Sequence, residues 1–146
     1  MGFVPKDAEW YLAEIVQELT VAEDPRNVVW RNLTLVHASS PEDAYAQAIS
    51  LGESGDTEYL NPAGKLVTFR FRGLSYLDVI HDALEHGAEL MFHSNVGVGP
   101  DDLQKLLRSK EELQLFLPIE RAEGPNVASG EIVKMVEEEL GINLSE

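Results

Sequence analysis

Cysteine is absent from this 146-residue chain. That removes any disulfide framework and any thiol nucleophile, and nothing in the chain asks for an oxidising compartment. Long apolar runs are missing too: no stretch approaches the ~20 residues that a membrane helix needs. The start Met1-Gly2-Phe3-Val4-Pro5-Lys6 lacks the basic opening and uninterrupted apolar run of a signal peptide. The expected location is the cytoplasm, with no membrane partner. Basic residues are scarce, 11 Lys and Arg against 26 Asp and Glu, for a net charge of −15. Nucleic-acid binding draws its free energy from basic groups that displace counterions, so a polyanion partner is excluded. Residues 1–100 carry 6 basic against 15 acidic groups and residues 101–146 carry 5 against 11, so no basic lobe hides in the average. The acidity keeps the chain soluble and suits a basic protein partner.

Familiar catalytic signatures are also wanting. Ser54-Gly55 lacks the first glycine of a nucleophile elbow, and Ser94 is followed by Asn95. Gly97 and Gly99 lead into Pro100-Asp101-Asp102, without the lysine of a phosphate loop and with acids that repel phosphate. Carboxylates abound, but Glu137-Glu138-Glu139 reads as a solvated helix face. No cofactor is implied.

What is present fits one globular domain: 44% hydrophobic and 25% charged residues are ordinary proportions, and the length allows a sizeable core. Residues 1–9 read as a flexible arm, 10–95 as an α+β core, and 96–146 as a helical extension packed on that core or on a second subunit. From Trp10 to Val21, Tyr11, Ala13, Ile15, Leu19 and Val21 alternate with Trp10, Leu12 and Val16, the period of a strand partly covered on both sides. Glu23-Asp24-Pro25-Arg26-Asn27 is turn chemistry, so a second strand, Val28 to Ala38, should return antiparallel. Its register is open: Leu33 and Leu35 favour one face, Trp30, Val36 and Ala38 the other. Ser40-Pro41-Glu42-Asp43 opens a helix by capping, Ala44, Tyr45, Ala48 and Leu51 supply its stripe, and Gly52 its stop. Thr57–Leu60 and Leu66–Arg72 read as strands around the turn Asn61-Pro62-Ala63-Gly64, with Gly73 ending the second. Leu74 to Leu84 fits either a helix or a short strand; the strand is preferred, followed by a turn at His86-Gly87 and a closing strand, Glu89 to His93. Helices follow at Asp101–Arg108, from Ser109, and at Ser129–Leu140, the last stopped by Gly141 with Ile142 in a Schellman motif. The expected fold is therefore α+β, an antiparallel sheet of four or five strands with the 40–51 helix on one face and C-terminal helices beyond.

The segments Trp10-Tyr11-Leu12-Ala13-Glu14-Ile15, Ala38-Ser39-Ser40-Pro41-Glu42-Asp43-Ala44-Tyr45, Phe71-Arg72-Gly73-Leu74 and His86-Gly87-Ala88-Glu89-Leu90 stand in this order. The chain thereby resembles, over about residues 10–93, a family of small bacterial proteins known only as a domain of unknown function. That family has an opening WY strand, an A-x-S-x-E-E-A helix start and a closing D-G-A-E-I strand; His86 stands where it tends to have Asp. The resemblance implies the same fold and no particular chemistry.

Three constellations are candidates for function. His81, His86 and His93, with Asp82, Glu85 and Glu89 between them, offer a divalent-metal site. The spacing of His81, Glu85 and His86 is one residue too long for an inverted zinc-protease motif, and an exposed polar turn is the plainer reading. Arg31, Arg70 and Arg72 could hold a carboxylate or phosphate, but a cross-strand salt ladder with Glu14 and Glu18 explains them better. Trp10, Trp30 and Tyr76 could form an exposed aromatic patch for self-association or a protein partner. The preferred reading is a non-catalytic interaction module, a homodimer with an acidic surface, of which an inhibitor or immunity-type role is one version. The alternative is a small-ligand or metal-binding protein, an enzyme included, built on the histidines and Arg70/Arg72.

Overall fold

The computed structural model describes residues 4–5, 7–119 and 123–141. Its contacts divide the chain into two units: the residues up to Met91 together with those from Gly124 onward, and Phe92–Glu123.

The first unit is built on four antiparallel strands, β1 (Trp10–Val21), β2 (Val28–His37), β3 (Thr57–Leu60) and β4 (Leu66–Val79), in the spatial order β2-β1-β4-β3. Tyr11, Ala13, Ile15, Gln17, Leu19 and Val21 of β1 are all buried, as the alternation requires. Tyr11, Ala13 and Ile15 form one core with Val36, Ala38 and Val79 and with Ala44 and Ala48 of the helix α1 (Pro41–Ser54). Leu19, Val21 and Val67 make a second cluster, packed by Tyr59, Phe69 and Val127. β1 and β2 pair without interruption, Trp10 opposite His37 through Leu19 opposite Val28, which settles the register of β2. Val36 and Trp30 share the α1 side with Gln17 and Ile15, whereas Val29, Arg31, Leu33 and Leu35 share the opposite face with Leu12, Glu14 and Val16.

Ser40 caps α1, its Oγ accepting the Asp43 N–H at 3.1 Å. The reciprocal acid bonds one residue earlier than a capping box has it: Asp43 Oδ2 accepts the Ser39 N–H at 2.9 Å. The buried face of α1 is Ala44, Ala48 and Gly52, while Tyr45 and Leu51 are exposed, so the stripe is one of small residues. Gly52 does not stop the helix, which runs to Ser54 with Gly55 as its cap. Gly52 is instead a point of close approach, because a Cβ built there would lie 2.3 Å from Cδ2 of Phe71.

Gly73 does not end β4. The strand continues to Val79 with two register shifts against β1, between Glu14 and Ile15 and between Val16 and Gln17. Each shift leaves one β4 residue, Ser75 and then Arg72, without an opposite number. A bulge adds one residue and rephases the side chains behind it. Phe71, Leu74 and Leu77, three apart, therefore all reach the α1 side of the sheet, packed against its core. That spacing imitates a helix, which is why residues 74–84 were ambiguous. Beyond Ile80 the chain leaves the sheet, and among the described residues Glu89 to His93 pairs with no strand: Asp82 instead accepts the Glu89 N–H at 2.9 Å, closing a loop around Gly87 at φ 86°.

The same unit ends in α3 (Gly130–Leu140), capped by Ser129 and stopped by Gly141 at φ 66°, whose N–H reaches Glu137 O at 2.8 Å; Ile142, the other half of the expected Schellman motif, lies outside the described residues. The chain before α3 is tied to the β3–β4 hairpin. The Tyr59 hydroxyl donates to Val127 O, and buried Asn61 donates to Asn126 O at 3.1 Å while accepting the Lys65 N–H at 2.9 Å.

In the second unit, α2 (Pro100–Leu106) is followed by single 3₁₀ turns at Lys110–Glu112 and Gln114–Phe116. Ser109 opens a turn rather than a full helix: its N–H donates to Glu112 at 3.1 Å, but Leu113 is already extended. Every described residue from Phe92 to Ile119 is exposed.

Candidate interaction surface

The three arginines are distributed over one sheet face, and each meets a carboxylate there. Arg31 on β2 donates from Nε to Glu14 on β1 at 2.7 Å. Arg72 at its β4 bulge stands 3.8 Å from Glu18. Arg70 donates to Glu58 on β3 at 2.9 Å. Asn27 adds a 2.7 Å bond to Glu18, and Ser75 Oγ donates to Glu14. The result is a polar ladder across the face away from α1, in which the guanidinium charges are matched inside the sheet. Such exposed pairs contribute little stability each, and they fix cross-strand register more than they attract an anion.

The aromatic trio is divided. Trp10 and Tyr76 lie on the ladder face, Trp10 with its ring centroid 4.8 Å from that of His37. Partial burial, reinforced by the Asp78 carboxylate, raises the Tyr76 phenol above its ordinary value. Trp30 lies on the α1 side, edge-on to Phe69 at 5.6 Å. The three do not form one patch.

The histidines likewise do not converge: among the described residues no group of three His, Asp or Glu side chains is placed to hold a metal ion. His81 and His86 belong to the loop after β4, and His93 to the second unit. His81 does line a cleft of about 400 Å³ with Trp10, Ile80, Asp82, Leu84 and the arm residues Asp7 and Glu9.

A different feature stands out on β2. Val29 (51%), Trp30 (42%), Leu33 (61%) and Leu35 (45%) are exposed although they belong to a regular strand. β2 is an edge of the sheet and runs for ten residues; the other edge, β3, has four. Proteins usually blunt an edge by keeping it short or by placing lysine, proline or a bulge on it. β3 is short. β2 has none of these devices: its pairing with β1 is unbroken, and Arg31 is its one permanent charge. A signal for this was present in the sequence, since no acid occurs between Asp24 and Glu42 in a chain with 26 of them. Hydrophobic alternation alone passed over it, because β2 is apolar on both faces.

Among the described residues, no helix is long and apolar enough to cross a membrane. No curated protein and no solved structure matches the chain. The family described as a domain of unknown function, DUF4288, matches residues 10–92, from the first residue of β1 through the loop after β4. The chain thus belongs to the DUF4288 family.

Proposed function

We propose that this chain is a cytoplasmic, non-catalytic protein-interaction module that self-associates. The observation that carries the reading is the bare apolar surface of β2, where Val29, Trp30, Leu33 and Leu35 keep roughly half their area in water. Covering such side chains yields about 25 cal/mol per Å² of apolar area, and patches of this kind on a stable domain mark protein contacts. The second unit adds to it: Leu103, Leu106, Leu107, Leu115 and Phe116 are all exposed, so this stretch has apolar groups without a core of its own. The charge of −15 suits a basic protein as a further partner. Sedimentation equilibrium of the purified chain from 1 to 200 μM tests the first part, with a concentration-dependent rise in mass expected. A monomer at every concentration refutes self-association.

One observation favours a second reading. The cleft beside Trp10 and His81 is of ligand size, with Asp7, Glu9 and Asp82 on its walls. A small cationic ligand would suit it. Chemical-shift changes confined to Trp10, Ile80 and Leu84 during a screen of amines would support this alternative, and none at millimolar ligand would remove it.

A further inference from the structure

We propose that self-association occurs by edge-to-edge pairing of β2 with β2 of a second copy, joining the two four-stranded sheets into one continuous sheet with its two-fold axis at Leu33. This rests on the self-association reading above and specifies its geometry.

The backbone indicates which groups β2 offers. In an antiparallel pair, residues alternate between those that exchange hydrogen bonds with the facing strand and those that point the other way. Ala38 N–H donates to Glu9 O at 3.0 Å, one step beyond the Trp10–His37 pair. Counting back in steps of two, Val36, Thr34, Asn32, Trp30 and Val28 direct their amides and carbonyls toward β1. The bond from Ile80 N–H to Trp10 O at 2.9 Å agrees, because it turns Trp10 toward β4. His37, Leu35, Leu33, Arg31 and Val29 therefore point theirs outward from the sheet, where no strand lies among the described residues.

A two-fold axis normal to the sheet makes two such strands antiparallel and keeps each copy's faces aligned. Paired residues must then have the same parity, and the outward row finds most partners when Leu33 lies opposite its own mate. Arg31 then faces Leu35 of the other copy, and Val29 faces His37. On the α1 side, Trp30 faces Val36 and Asn32 faces Thr34. No arginine meets its like, Arg31 keeps its bond to Glu14, and the two exposed Leu33 side chains meet at the centre, each covering one flank of the other. The composition fits this occupant: from Pro25 to Pro41 there are two arginines and no acid, so the joining edges bring no carboxylates together although each copy carries −15. The more distant acids still repel one another. Salt screens charges beyond about 8–10 Å, so raising it should tighten this pairing, whereas it would loosen a complex with a basic partner.

The experiment is site-directed disulfide trapping in a chain that has no cysteine of its own. Opposed residues of a hydrogen-bonded pair have Cα atoms about 5.5 Å apart, within disulfide reach. Leu33→Cys should give a covalent dimer in more than about half the chains under mild oxidation. Val29→Cys should give under a tenth as much, since its mate lies eight residues away, roughly 27 Å at 3.4 Å per residue. Hydrogen exchange on the unmodified chain supplies a second readout: amides of Val29, Arg31, Leu33, Leu35 and His37 should slow at least tenfold from 1 to 200 μM. A chain that sediments as a monomer ends both readings. A dimer that traps Val29→Cys as readily as Leu33→Cys, or leaves the outward amides fast, overturns edge pairing while self-association stands.

Discussion

Gly52 of α1 packs directly against the Phe71 ring of β4, with no room left for a side chain. In Gly52→Ala, a new Cβ would lie 2.3 Å from Phe71 Cδ2 and 2.4 Å from Cε2, so the ring or the helix must move. Overpacking of this kind costs about 1–3 kcal/mol. Opposing it, alanine in a helix is better than glycine by up to about 1 kcal/mol, and by less in the last turn. The net expectation is a loss of about 0.5–2 kcal/mol. Removing the ring reverses the sign: in a Phe71→Ala background the same substitution meets no aromatic carbon and should stabilise by a few tenths to about 1 kcal/mol. The coupling between the two sites is then about 1–3 kcal/mol, well above the ~0.3–0.5 kcal/mol scatter of independent sites. Urea unfolding of the four proteins at 25 °C, followed by circular dichroism, measures it. If Gly52→Ala stabilises both backgrounds equally, the glycine is not there for the approach to Phe71 and the packing account of α1 is wrong.

Other outcomes follow from the same structure. Leu19 is fully buried where the sheet meets Val21 and Val67, so Leu19→Ala should lose about 2–5 kcal/mol in the same urea assay. Arg31→Ala removes an exposed pair with Glu14 and should change stability by less than about 1 kcal/mol, a difference that shrinks further in 0.5 M salt. The side-chain hydrogen bond from Arg26 lowers Asp24 from 3.8 to about 2. This folded value lies below the unfolded one, so its stabilising effect is complete above about pH 4 and disappears as pH falls toward 2. Carboxyl NMR should give an Asp24 midpoint near 2 in the native chain, returning toward its ordinary value in Arg26→Ala. Asn61→Ala removes the bonds to Asn126 O and from Lys65 N–H, and limited proteolysis should then cut between Gly124 and Ser129 several-fold faster.

Much of the fold was legible because its signals were local. The alternation from Trp10 to Val21, the cap at Ser40, and the Asn61-Pro62-Ala63-Gly64 turn each depend on neighbours in sequence, and each element lies where those residues put it. The errors have a common cause in side-chain phase. Two bulges in β4 turned a period of two into a spacing of three around Leu74, so that one strand to Val79 read as two broken at Gly73, with a helix as the alternative for the second. Gly52 looked like a stop because close packing against Phe71, nineteen positions along the chain, leaves no trace among adjacent residues. For the surface, the salt ladder was readable from alternating charges on Glu14, Glu18, Arg70 and Arg72. The separation of Trp30 from Trp10 and Tyr76 was not, since it depends on which face of β2 turns toward α1.

The bulges at Arg72 and Ser75 also bear on how this domain tolerates change in length. Both residues lie in the longest strand, yet neither has an opposite number in β1. Removing either would straighten the ladder locally while leaving Phe69, Phe71, Leu74 and Leu77 on their present partners. A deletion inside a core strand normally swaps every later side chain between core and solvent; here the strand holds two expendable positions, and relatives trimmed at them would retain an unchanged interior.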